Sequence, residues 1–96
     1  MASYVVLGNF TDQGIRAVKD TTKRAKAFRD VAKTMNVNIK EIFWTLGAVD
    51  IVAIGEAPND ETMASLMMKV GLLGNFKSQT LRAFSESEID KVISTI

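Results

Sequence analysis

The fold follows from residues 38–57, which read NIKEIFWTLGAVDIVAIGEA. Two segments of this stretch, residues 38–46 and 50–57, are rich in β-branched and aromatic side chains, which favour strands. Gly47 and Ala48 lie between them, and a glycine at that position is typical of a tight turn between paired strands. We therefore predict an antiparallel β-hairpin at the centre of the chain.

The sequence before the hairpin predicts one strand and one interrupted helix. Residues 3–10, SYVVLGNF, are short and rich in strand formers. Apolar side chains then recur at steps of three and four up to Met35, which is a helical period. One helix over this whole segment would extend ~36 Å, whereas a seven-residue strand covers only ~23 Å. We therefore expect a short helical turn near residues 12–17, a break, and a main helix over residues 20–36.

The sequence after the hairpin predicts a helix, a strand and a short final helix. Asn59 is a suitable cap for the start of the first of these helices, and Gly74 is a suitable residue for its end. Residues 76–84, FKSQTLRAF, predict a fourth strand. Ser85 and Glu88 match the S-x-x-E capping box, which starts the final helix. We expect the apolar side chains of that helix to be buried.

The order of the elements, β-α-β-β-α-β-α, indicates an α+β fold of the ferredoxin-like βαββαβ type. Two split βαβ units with right-handed crossovers give an antiparallel sheet in strand order 4-1-3-2, with both long helices on one face. The short C-terminal helix is an addition to this sandwich. A chain of 96 residues has the size of one domain, so residues 1–96 are predicted to form a single domain.

The predicted hairpin register divides its side chains between the two faces of the sheet, and both faces are largely apolar. Thr45 lies opposite Asp50 if Gly47 and Ala48 form the loop, and the alternation of side chains then assigns the rest. The face that we assign to the helices holds Ile42, Trp44, Leu46, Ile51 and Ala53. The other face, which is of mixed character, holds Glu41, Phe43, Thr45, Val52 and Ile54.

An apolar second face requires a cover, because a solvated face would carry mainly polar side chains. A second copy of the chain is the simplest cover, so we predict a homodimer packed sheet against sheet, or a larger oligomer built from it. The alternative is that the final helix folds over this face. We also place Arg82 on this face and predict an ion pair between Glu41 of one subunit and Arg82 of the other. The interface candidates are Glu41, Phe43, Val52, Ile54 and Arg82.

The composition excludes several classes of chemistry. The chain has no Cys and no His, which removes disulfides, thiolate metal sites, thiol nucleophiles and the commonest general base. We therefore predict no metal site and no cofactor. The net charge of +1 argues against a nucleic-acid-binding protein, and no apolar run approaches the ~20 residues of a membrane span. Without cysteines or an export signal, the cytoplasm is the expected location.

Three segments resemble the GYD domain family: residues 10–28 (FTDQGIRAVKDTTKRAKAF), 42–58 (IFWTLGAVDIVAIGEAP) and 73–84 (LGNFKSQTLRAF). They cover nearly the whole chain in the family's order and spacing. The resemblance implies a ferredoxin-like subunit of the dimeric α/β barrel group and a family without an assigned biochemical function. The family is named after a Gly-Tyr-Asp stretch in the hairpin. Here Val49 precedes Asp50 where the aromatic residue is expected, so no tyrosine hydroxyl acts at that position.

Four residues of the hairpin and the main helix are candidates for a binding site. Asp50 suits a general base or a carboxylate that orients a ligand, or else a cap of the Gly47 turn. Trp44 suits stacking on a planar ligand, or else a core position with its N–H paired. Lys23 and Arg24, in the first turn of the main helix, suit an anion site, or else an ordinary solvated helix face.

These residues leave two functional hypotheses open. The first is a small soluble oligomeric domain that binds a small molecule or a partner, or that serves as an assembly or regulatory module. The alternative, which other dimeric α/β barrels suggest, is a cofactor-independent oxygenase or isomerase, and it requires several polar and aromatic groups in one cavity. The ligand-site candidates are Tyr4, Trp44, Asp50 and Arg82.

Overall fold

The chain forms four strands, four α-helices and one 3-10 turn, and the computed structural model describes all of residues 1–96. The strands are β1 (Ala2–Phe10), β2 (Asn38–Trp44), β3 (Ile51–Ala57) and β4 (Phe76–Ala83). The helices are α1 (Asp12–Arg16), α2 (Thr21–Thr34), α3 (Asp60–Leu72) and α4 (Glu86–Ile93), and the 3-10 turn at Val18–Asp20 separates α1 from α2.

One antiparallel sheet contains all four strands in the order β2-β3-β1-β4, which confirms the predicted order. Side chains on one face of this sheet form the buried core together with side chains from α2 and α3. The predicted α+β ferredoxin-like fold is therefore confirmed, with the two long helices against one face. The core residues are Tyr4, Val6, Ala32, Val37, Ile39, Ala53, Ala57, Met63 and Leu66.

The central hairpin has the predicted register. Phe43 lies opposite Val52, and the Thr45 N–H donates a hydrogen bond to the Asp50 carbonyl oxygen at 2.8 Å. The pairing is regular except for a β-bulge at Lys40, which the alternation of the sequence does not indicate. The turn chemistry and the alternation of side chains were therefore sufficient to assign the hairpin residues to their faces.

The helix before the hairpin is interrupted, as predicted. The Thr11 hydroxyl oxygen accepts a hydrogen bond from the Gly14 N–H at 3.1 Å and so caps α1. The 3-10 turn then leads the chain into α2. Beyond α2, Asn36 takes a φ of 60°, a left-handed conformation that Asn tolerates. Two shorter helices therefore replace one helix that would overhang the sheet.

Gly14 lies in close contact with the loop that joins α3 to β4. A Cβ atom at this position would lie only 2.1 Å from the Asn75 carbonyl oxygen, so no larger residue fits without a backbone shift. The Thr11 hydroxyl donates to the Gly74 carbonyl oxygen at 2.5 Å, and the Thr11 N–H donates to the Asn75 carbonyl oxygen at 3.1 Å. These bonds hold the start of α1 against the loop.

Arg82 lies on the opposite face from the one predicted. It pairs with Tyr4, whose side chain belongs to the core under the helices, so Arg82 is on the helix side and Glu41 is on the other. The predicted intersubunit ion pair between Glu41 and Arg82 is therefore wrong, and Arg82 does not belong to the second face. The reason is that β4 is an edge strand whose helix side is only partly covered, so Thr80 and Arg82 stay exposed there.

The final helix is not buried. Ser85 and Glu88 form the predicted capping box, but every residue of α4 except Glu88 is exposed. The helix therefore does not join the core, contrary to expectation. It does not cover the second face of the sheet either, where large apolar side chains remain exposed. The exposed apolar residues of the final segment are Ile89, Val92, Ile93 and Ile96.

Candidate functional site

A cavity of about 670 Å³ lies between the sheet and the two long helices. Small residues on the sheet line its floor: Gly8 on β1, Ala53 on β3 and Ser78 on β4. Ala25 on α2 is part of the opposite wall. Because the side chains at these positions are small or absent, they do not fill the space between the sheet and the helices, and the close packing of the core does not extend here. The volume falls within the range of about 300–1,000 Å³ that is typical of small-molecule sites.

The lining of this cavity is apolar with a positive charge. Of the 18 lining residues, 12 are hydrophobic and none is acidic. The two charged residues among them are Arg24 and Lys69. The Nη1 atom of Arg24 is buried and has no hydrogen-bond partner. The cavity therefore combines an apolar lining with the cationic side chains of Arg24 and Lys69.

The structure separates the two predicted anion-site residues. Lys23 and Arg24 both lie in the first turn of α2, but only Arg24 lines the cavity, and Lys23 is exposed. Arg24 is therefore the candidate that has a cavity beside it. The position of Lys23 corresponds to the solvated helix face that was the alternative interpretation.

Trp44 lies beside the main cavity and not in the core. Its indole N–H donates to the Thr21 hydroxyl oxygen at 3.0 Å, and 43% of the residue is exposed. It lines a second cavity of about 320 Å³ with Arg29, and this cavity shares Ala25 and Ile42 with the main one. The prediction of a paired N–H is confirmed, whereas the core position is wrong, because Trp44 is the last residue of an edge strand.

Asp50 holds the hairpin against β1. Its carboxylate accepts a hydrogen bond from the Phe10 N–H at 2.9 Å, and its own N–H donates to the Gly8 carbonyl oxygen at 3.0 Å. Asp50 does not line the main cavity. Asp50 therefore links two strands. The sequence suggested two other roles for it, a cap of the turn and a catalytic or ligand-orienting carboxylate.

Tyr4 and Arg82 meet in a polar cluster on β1 and β4. Tyr4 is only 3% exposed, and its hydroxyl donates to Asp60 Oδ1 at 2.5 Å. The Arg82 guanidinium lies 5.8 Å from the centre of the Tyr4 ring, and its Nη2 lies 3.4 Å from Glu88 Oε2. Hydrogen bonds from Ser85, together with the nearby Arg82, lower the pKa of Glu88. The cluster therefore ties the start of α3 and the start of α4 to the sheet.

The four ligand-site candidates do not form one site. Tyr4 pairs with Arg82 near the start of β1, whereas Asp50 bonds to Gly8 near the end of the same strand. The stretch from Tyr4 to Gly8 spans ~13 Å. None of the four candidates lines the main cavity, and no group of three or more acidic, His or Cys side chains is placed to hold a metal ion. The convergence that the oxygenase or isomerase hypothesis requires is therefore not present.

The residues that shape the main cavity were missed by sequence reasoning. Gly8 and Ser78 face each other across β1 and β4, and Ala53 lies on the same face of β3 beside Val6. Each is an ordinary strand residue when its own segment is considered alone. They could be found only because they lie together on one side of the sheet. Recognising this requires the register between β1 and β4.

The second face of the sheet carries an apolar surface that no other part of the chain covers. Phe43, Val52 and Leu7 form one row across the strands, and Ile54, Val5 and Leu81 form the next. Phe43 is 51% exposed. The interface candidates Glu41, Phe43, Val52 and Ile54 lie on this side, and their role at an interface stays a prediction. We call this surface the open face; it consists of Val5, Leu7, Phe43, Val52, Ile54 and Leu81.

The titration of Tyr4 is expected to make the stability fall at high pH. Burial, and then the hydrogen bond to Asp60, raise the pKa of Tyr4 to about 12 from its ordinary value of 10.0. The unfolded chain therefore loses this proton first. The contribution of the protonated phenol to stability is complete below pH 10 and is lost as the pH rises towards 12.

The ultraviolet absorbance of the phenolate measures this pKa directly, because Tyr4 is the only tyrosine. The absorbance step of the folded protein should be centred near pH 12, with circular dichroism reporting that the chain is still folded. Tyr4→Phe is the control, and its absorbance should show no step. A folded-state midpoint near pH 10 would contradict the description of Tyr4 as a buried hydrogen-bond donor.

These features define a ferredoxin-like α+β domain with a cavity under its helices and an apolar open face on the other side of its sheet. The profile of the GYD domain matches residues 4–93. The chain therefore belongs to the GYD domain family, which confirms the resemblance carried by its three segments.

A relative from Thermus thermophilus is 26% identical to the chain over 90 residues. The match covers 93% of this chain and 95% of the relative, which is named "Glutamine synthetase and cystathionine beta-lyase binding protein". No solved structure matches the chain significantly. None of the helices has both the length and the apolar character that crossing a membrane requires.

Proposed function

We propose that the chain is a protein-binding module that works as a homodimer and assembles with, or regulates, a partner protein. The observation that carries this proposal is the open face, where Phe43, Ile54 and Leu81 remain exposed and no helix packs against them. A contiguous apolar surface on a water-soluble domain favours association. The expected location of such a module is the cytoplasm.

The distribution of apolar and charged side chains on the open face is compatible with its burial against a second copy of the chain. The apolar side chains occupy the central rows of the face. At its margin, Lys40 Nζ lies 3.3 Å from Glu56 Oε1 of the same subunit. Two facing copies would therefore bury apolar side chains at the centre and keep charges in a solvated rim, which is the usual anatomy of a stable interface.

Helix α4 supplies the surface that we assign to a partner protein. It starts on the helix side of the sheet, where Glu88 contacts Arg82, whereas the open face lies on the other side of the sheet. Amphipathic helices with such a stripe bind hydrophobic grooves of other proteins. The name of the Thermus relative, a protein that binds two enzymes, supports a partner of this kind. The stripe consists of Ile89, Val92, Ile93 and Ile96.

Binding to purified glutamine synthetase from the organism that encodes the chain tests the partner assignment. By biolayer interferometry, the wild-type protein should bind this enzyme and not serum albumin. Ile93→Glu should weaken the binding by at least about tenfold, because it places a charge in the apolar stripe. Ile15→Glu is the matched control, because Ile15 is similarly exposed, at 51% against 56% for Ile93, but lies on α1.

Three results would contradict this assignment. If neither glutamine synthetase nor cystathionine β-lyase binds the wild-type protein, the support taken from the relative's name is lost. If Ile93→Glu dissociates the homodimer, α4 belongs to the self-association interface and not to a partner site. An equal loss of enzyme binding in Ile93→Glu and Ile15→Glu would also exclude a specific role for the stripe.

A further inference from the structure

Arg24, one of the two cationic residues that line the main cavity, has a guanidinium donor without a hydrogen-bond partner in the protein. The Nη1 atom of Arg24 is buried and lacks a hydrogen-bond partner, and Arg24 lines the cavity. Leaving a buried donor of a charged group unpaired is unfavourable. No acidic residue lines the cavity, so the protein places no carboxylate there to pair with Arg24.

The remainder of the cavity favours an apolar body on the ligand. The wall contributed by α2 and α3 includes Phe28, Val31, Met67 and Val70. On the sheet side, the lining residues Gly8, Ala53 and Ser78 have small side chains or none. A ligand that carries only a charge would leave this apolar surface uncovered. A ligand without a charge would give Arg24 no anionic partner.

We propose that the cavity binds a small carboxylate with an apolar body. The carboxylate accepts hydrogen bonds from the guanidinium of Arg24, a pairing whose geometry is favourable because both groups are planar. The apolar body lies between the sheet and the helices, against Phe28 and Val70. This site lies on the helix side of the sheet, away from the open face, so the inference stands independently of the proposed dimer and of the proposed protein partner.

Isothermal titration calorimetry with decanoate and with 1-decanol tests the charged part of the site. Wild-type protein should bind one decanoate per chain, and at least about tenfold more tightly than decanol, because a hydrogen bond to a charged group is lost with the alcohol. Arg24→Met should remove this preference and keep the helix, since Met is also a good helix former. Lys23→Met is the matched control and should bind decanoate like the wild-type protein.

A second variant tests the apolar part of the site and does not depend on Arg24. Ser78→Phe places a large side chain in the cavity, across from Gly8, which has no side chain to oppose it. This variant should abolish decanoate binding and should not lower the urea midpoint of unfolding, because it fills empty space.

Four results would overturn the inference. Three of them are the absence of decanoate binding to the wild-type protein, equal affinities for decanoate and decanol, and unchanged decanoate binding by Ser78→Phe. Equal losses in Arg24→Met and Lys23→Met would likewise exclude Arg24 as the specific partner of the carboxylate. None of these outcomes affects the subunit count, so failure of this site is distinguishable from failure of the proposed homodimer.

Discussion

Replacing Leu7 by Glu is expected to convert the proposed homodimer into a monomer. Leu7 lies within the open face, with Val52 on one neighbouring strand and Gln79 on the other. A symmetric interface contains this position twice, so the variant would bury two carboxylates without partners. One uncompensated buried charge costs about 3–5 kcal/mol. We therefore expect the dissociation constant of the dimer to rise by at least about a hundredfold.

Sedimentation velocity over a range of protein concentrations measures this effect. Ile15→Glu is the control, because it introduces the same charge at an exposed apolar residue of α1, away from the open face. Circular dichroism should show that both variants are folded. A Leu7→Glu variant that remains dimeric, or an equal effect of the two variants, would contradict the assignment of the open face to a second copy.

Replacing Gly14 by Ala is expected to lower the free energy of unfolding by about 3 kcal/mol. The added Cβ would lie 2.1 Å from the Asn75 carbonyl oxygen and 3.0 Å from the Asn75 carbonyl carbon. These are backbone atoms, so they cannot move aside as a flexible side chain would. The change would also strain the hydrogen bonds of Thr11 to the same loop.

Gly71→Ala is the matched control for this prediction. Gly71 lies in α3, and a Cβ there would meet no atom within 4 Å. Because Ala is the better helix former, this variant should gain about 0.5–1 kcal/mol. Urea unfolding followed by circular dichroism measures both variants. A Gly14→Ala variant as stable as the wild-type protein would mean that α1 and the loop are not in close contact.

The central hairpin could be predicted because its determinants are local. A glycine in the turn set the register, and the alternation of side chains then assigned Phe43 and Val52 to one face. The interrupted helix was predictable for a different reason, since a single helix would be longer than the strands that it covers. The capping box at Ser85 and Glu88 likewise depends on neighbouring residues alone.

The wrong predictions concern the positions at which the helices cover the sheet. Arg82 alternates with apolar neighbours, so it was placed on the face away from the helices, but the helix side of an edge strand also admits polar residues. A core position was one of the two interpretations of Trp44, and it is wrong because Trp44 ends the other edge strand. The apolar stripe of α4 predicts a buried face, but a helical period does not distinguish a core of the same chain from another protein surface. The cavity depends on the register between Gly8 and Ser78, which are distant in sequence.

In the proposed homodimer, a second copy of the chain covers the open face. Sedimentation equilibrium of the wild-type protein tests this arrangement, because the method gives the mass of the assembly without a standard for shape. We predict a mass of twice the 10.5 kDa of the chain, or a higher even multiple of 10.5 kDa. A single species of 10.5 kDa at all accessible concentrations would contradict the claim.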